Sequence, residues 1–115
     1  MKYIITESQY NKTIDKFITY QFEPHEEKRT KNKPNSIFWV NDGEVIAEMN
    51  EYTNRFLVEP QIWDTISSMF SLEFDETQKV IKDWLEEHYK LGGLTPERVL
   101  FPFGMSWKNI TNWED

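Results

Sequence analysis

Two histidines, a serine in a half-formed motif and many paired carboxylates are the residues that could do chemistry in this chain. Gly104-Met105-Ser106-Trp107-Lys108 begins like G-x-S-x-G but ends in Lys, and no strand-to-helix elbow is evident around it. Ser106 reads better as an N-cap for the Trp107 segment than as a nucleophile. His25 lies in Glu23-Pro24-His25-Glu26-Glu27, an oxygen-rich cluster on a charged, solvated stretch that holds no ligand in place. His88 follows Trp84 by four residues, on the margin of an apolar helical stripe. Glu86 and Glu87 precede it without completing H-E-x-x-H, so a half-buried structural role is expected. Asp83 and Glu87 sit at i, i+4. General acid–base work needs one carboxylate with a raised pKa in a cleft, and this spacing describes a solvated helix face.

The remaining chemistries fail on residue type. Gly43, Gly92, Gly93 and Gly104 form neither G-x-G-x-x-G nor a Walker loop. An EF-hand phased on Asp42-Gly43 would place Phe38, Val40 and Met49 at ligand positions. The absence of cysteine removes disulfides, zinc–thiolate sites, iron–sulfur clusters and thiol catalysis. The expectation is a protein that is not an enzyme, with no catalytic residues, no metal and no cofactor.

At 115 residues the chain is one domain, 1–115. Aromatics make up 16% of it, and large rings let a small core be adequate. The net charge of −7 repels phosphate backbones over most of the surface and favours a basic partner. No apolar run approaches the roughly 18 residues of a membrane span. The start, with Tyr3-Ile4-Ile5 before Thr6 and Glu7, is too short for a signal peptide, so a cytoplasmic protein with no membrane contact is expected.

The elements follow from periodicity. Thr6 and Gln9 fit a capping box with Ile5 and Tyr10 as staple. Tyr10, Ile14, Phe17 and Ile18 then form one stripe, predicting a helix over 7–20. Residues 21–36, with two prolines and seven charges, read as an exposed loop. Two β-rich runs in 36–50 flank Asn41-Asp42-Gly43, a hairpin turn, and Arg55–Val58 adds a third strand. Pro60 opens a helix over 60–70. Asp75 and Gln78 suggest the cap of another over 76–90, ended by Gly92-Gly93. Thr95-Pro96-Glu97 suggests a helical turn, residues 100–104 look extended, and Trp107, Ile110 and Trp113 are spaced for a short helix. The predicted fold is α+β: an N-terminal helix, a three-stranded antiparallel β-meander and a C-terminal αα-hairpin packed on the sheet. A helix-turn-helix reading fails on charge, because 75–90 holds five acidic and three basic groups, unsuited to a major groove.

Two binding surfaces are expected. Phe38 and Ile46 on an outward sheet face, with Trp107 and Trp113 in the tail, are candidate contacts for a protein partner. A homodimer through a sheet edge or the tail is a related possibility. That reading loses its basis if these aromatics cover the core instead. The second surface is the basic string Lys28, Arg29, Lys31 and Lys33, which could meet nucleic acid with Phe38 or Trp39 as stacking rings. Glu26 and Glu27 dilute it, so nucleic acid is the alternative partner and a small hydrolase ranks last.

The stretches KYIITESQY, IWDTISSMFSLEFDETQKVIKDWLEEHYKLGGLTP and WKNITNWED resemble small uncharacterised proteins of marine tailed phages and ocean metagenomes. The resemblance brings no catalytic motif. It implies a viral or environmental origin and expression inside a bacterial host. With the composition, it suggests a small non-enzymatic protein–protein interaction domain, a phage accessory protein acting on a host or viral protein.

Overall fold

The computed structural model describes residues 7–99 together with Trp107, Ile110, Trp113 and Glu114. Helix α1 (Glu7–Phe22) leads into the short strand β1 (Glu26–Lys28) and the hairpin strands β2 (Ser36–Asn41) and β3 (Glu44–Asn50). Strand β4 (Arg55–Val58), helices α2 (Pro60–Phe70) and α3 (Phe74–Tyr89), and strand β5 (Thr95–Arg98) follow. The strands form one mixed sheet in the order β1-β2-β3-β4-β5. The α+β class, the leading helix and the central meander are as expected. The expected capping residues Ile5 and Thr6, the extended stretch 100–104 and Ser106 lie outside the described residues.

The three-stranded meander understates the sheet at both edges. Within the stretch read as a loop, Glu26–Lys28 pairs antiparallel with Phe38–Val40. Charge hides this strand from pattern reading, yet charge is what a short edge strand carries to discourage further pairing. At the other edge, Thr95–Arg98 runs parallel to Arg55–Val58, where a helical turn was expected. The α2–α3 pair is the crossover that a parallel return requires. Pro96 is tolerated because β5 has a paired neighbour on one side only.

Local chemistry explains the joints. Asp42 (φ 52°) and Gly43 (φ 81°) both take positive φ, which defines the type I′ turn whose twist matches a hairpin. Glu59 accepts the Ile62 N–H at 2.9 Å and Pro60 occupies the first turn of α2. The capping box of α3 lies at Glu73 and Glu76, two residues before the Asp75–Gln78 pair expected from sequence. Helix α3 ends with Lys90 in the left-handed conformation (φ 59°), not with a glycine there. Gly92 instead brings its N–H to 2.9 Å from Glu86 Oε2, a position where a Cβ would lie 2.6 Å from that oxygen.

Both faces of the sheet are covered. On one side Ile14, Ile18 and Phe22 of α1, Trp63 and Ile66 of α2, and Ile81, Trp84 and Leu85 of α3 pack on Trp39, Ala47, Met49, Phe56 and Val58. Trp39 is the centre of this layer: Phe56, Tyr89, Phe22 and Trp84 surround it at ring-centroid distances of 4.9–6.1 Å. On the other side Phe38, Val40 and Trp107 are buried together, with Val45, Leu57, Val99, Ile110 and Trp113 against them. A bulge allots the residues between the layers. The register steps from Trp39↔Ala47 to Val40↔Val45, leaving Ile46 as the extra residue, so Ile46 and Ala47 both join the helix-side core.

Ile81 is fully buried in the helix-side core. Ile81→Ala is expected to lower stability by about 2–5 kcal/mol through lost burial and a residual cavity, measured as a shifted midpoint in urea denaturation with unchanged slope.

Candidate interaction surface

The aromatic and aliphatic residues expected to meet a partner are turned inward. Phe38 is fully buried, Ile46 and Trp107 are 8% exposed, and Trp113 is half-buried with its ring edge-on to Phe38 at 5.6 Å. The cause is the tail returning across the sheet: Trp113 bridges to Thr30, and the Glu114 N–H donates to the Arg29 carbonyl at 2.8 Å. Ile46 is buried because the bulge rotates it to the helix side. These four residues therefore cover the core of their own chain.

A polar cluster anchors the tail. Glu48 projects from β3 into the tail-side layer and is only 4% exposed. Its Oε2 accepts the Ser36 hydroxyl at 2.8 Å and its Oε1 accepts the Trp107 indole N–H at 2.9 Å. Lys33 Nζ stands 3.9 Å from Oε1. A buried carboxylate is tolerable only when donors and a countercharge replace its water.

The basic string is engaged by the same structure. Arg29 donates to Glu51 at 2.7 Å and to the Pro34 carbonyl at 3.0 Å. Lys28 lies 3.8 Å from Glu26 and 5.8 Å from the centre of the Trp113 ring. Lys33 pairs with Glu48 and lies 6.0 Å from the Phe38 ring centre. Lys31 has no ion pair among the described residues. Neither Phe38 nor Trp39 offers a stacking face, since both are fully buried.

The histidines diverge from expectation in opposite senses. His25 is not solvated: its side chain is 4% exposed and its ring stacks on Trp39 at 3.9 Å and 11°. Its Nδ1 is 2.9 Å from the Phe22 carbonyl and 3.5 Å from Glu23, whose other oxygen accepts the Tyr89 hydroxyl. His88 is exposed on α3, and its Nε2 reaches Asp15 of α1 at 2.8 Å.

Tyr20 and Tyr52 stand exposed elsewhere on the surface, and two further large apolar side chains face solvent together in sequence at the corner between α2 and α3. Met69 is 57% exposed and Phe74 55% exposed, while Tyr10 from α1 stands edge-on to Phe70 at 6.1 Å. Glu73, Asp75 and Glu76, all exposed, lie around the corner in sequence. A shallow open depression runs from it along the outer side of α2, lined by Glu59, Gln61, Asp64, Thr65, Ser68 and Met69. Met69 falls within the helix expected over 60–70 and Phe74 between the two expected helices, and neither is among the expected contact residues. The signal was the acidic run surrounding Phe74. Beside the depression, Arg98 of β5 donates two hydrogen bonds of 2.9 Å to Asp64. Those bonds hold the Asp64 carboxyl below its usual range, against a smaller opposing effect of burial.

No family model matches the chain, and neither a curated protein nor a solved structure matches it. No helix among the described residues is long and apolar enough to cross a membrane.

Trp107→Phe keeps a six-membered aromatic ring but removes the pyrrole part with the N–H that Glu48 accepts, and is expected to cost at least about 1–3 kcal/mol in chemical denaturation. Asp64→Asn tests the cross-link from β5 to α2. Because the folded pKa of Asp64 is lowered, its contribution is fully present above the unfolded value of about 3.9 and is lost as pH falls through the folded one. The pair is exposed, so the variant should lose no more than about 1 kcal/mol at pH 7. That deficit should shrink progressively in denaturation series run below about pH 4.

Proposed function

We propose that the protein is a small non-enzymatic interaction domain that binds a protein partner through the α2–α3 corner. The observation that carries this reading is the exposure of Met69 and Phe74 beside Glu73, Asp75 and Glu76. Large exposed apolar groups supply contact area, and the acidic groups around them select the partner's charge. The matching surface is an apolar segment flanked by Lys or Arg. The net charge of −7 would speed encounter with such a segment. The resemblance to small phage proteins suits an accessory role in the cytoplasm of a bacterial host, with a host or viral protein as partner.

The nucleic-acid reading has less support, because Lys28, Arg29 and Lys33 are held by groups of the chain itself. A homodimer through a sheet edge has little to recommend it, as β1 and β5 have only 3 and 4 residues.

The test is capture from bacterial lysate with wild-type protein beside the Met69→Ser/Phe74→Ser variant. A partner retained by wild type and lost by a variant of unchanged circular dichroism is the expected result. Equal capture by both proteins would remove the corner as the contact surface.

A further inference from the structure

Asp15, Glu87 and His88 bring one carboxylate from α1 and a carboxylate and an imidazole from α3 to a single point. One ligand atom from each lies within 4.8 Å of the other two, and His88 Nε2 is already 2.8 Å from Asp15 Oδ1. We propose that these three residues bind a divalent transition ion of the Zn²⁺ or Co²⁺ type, clamping α1 to α3. The site is independent of the partner-binding corner.

The geometry fits such an ion. Ligand bonds of about 2.0–2.2 Å around a tetrahedral ion put ligand atoms about 3.3–3.6 Å apart. The His–Asp pair, now at 2.8 Å, opens slightly to that spacing, and side-chain rotation draws in Glu87, leaving a coordination position for water. The bearing helices are fixed. Ile14 and Ile18 flank Asp15 in the core, Ile81 and Leu85 do the same below His88, and the Trp84 indole N–H donates to Thr19 Oγ1 at 2.9 Å between the helices. A ligand set held by rigid elements needs little reorganisation to bind.

Imidazole selects the class of ion. Zn²⁺ and Co²⁺ accept nitrogen together with oxygen, whereas Ca²⁺ and Mg²⁺ take oxygen ligands. Coordination requires a free lone pair on Nε2, so the ion takes the place of the contact with Asp15 and the imidazole binds as its Nδ1–H tautomer. Trp84 lies 5.3 Å from the His88 ring and provides an optical reporter.

The test is calorimetric titration of the full chain with Zn²⁺ and with Co²⁺, beside thermal melts and Trp fluorescence. Binding with one ion per chain, a raised Tm, quenching by Co²⁺ and no response to Mg²⁺ are expected. Asp15→Asn, Glu87→Gln and His88→Ala should each weaken binding at least tenfold, while Asp83→Asn, which removes the same charge elsewhere on α3, should not. These side chains are at the surface, and circular dichroism checks that each variant folds. No binding at millimolar Zn²⁺ would overturn the proposal. So would equal response to Mg²⁺, or full binding by His88→Ala, either of which would reduce the cluster to a diffuse acidic surface.

Discussion

Every strand of the sheet's centre carries apolar side chains on both faces, so both faces need a cover. Helices α1, α2 and α3 supply one, around Trp39, and the returning tail supplies the other, around Phe38 and Trp107. An uncovered face would leave large rings in water at about 25 cal/mol for each Å². The tail-side layer contains one group that apolar packing alone cannot accommodate, the carboxylate of Glu48. Ser36, Trp107 and Lys33 surround it, so desolvation is offset by donors from β2, from the tail and from the β1–β2 connection. The same contact that satisfies Glu48 orients the ring that closes the layer.

This double cover decides what remains for function. Aromatics that would make a contact surface on a one-sided sheet become core. Cations that would make a nucleic-acid patch become partners of Glu26, Glu48 and Glu51. The available surface is then the helical side, which is largely acidic and exposes Met69 and Phe74 where α2 turns into α3. Helices α1 and α3 also meet with Asp15 against His88, near the far end of α3 from that corner. The proposed contact surface and the proposed ion site both lie on the helices, because both faces of the sheet are covered.

Much of the fold was legible in sequence where a local rule was strong. Asp42-Gly43 demands a turn with positive φ, Pro60 opens a helix, and Ile14, Ile18, Ile81 and Leu85 repeat at helical spacing. Strands β1 and β5 were not legible, since Glu26–Lys28 has no apolar residue and Pro96 argues against a strand. Both exist because a neighbouring strand offers its hydrogen bonds. The bulge at Ile46 was equally hidden. Strict alternation would put Ile46 and Glu48 on one face, and one extra residue in the register separates them.

The sequence by itself determined the class of fold, the order of its main elements and the absence of cysteine and of a phosphate-loop motif, because these follow from residue type and short-range spacing. Only the tertiary structure decided which aromatics are core, where His25 and His88 stand, and that Asp15 meets Glu87 and His88 across 72 and 73 positions of chain. Burial and ligand geometry are properties of segments distant in sequence, and no local period encodes them.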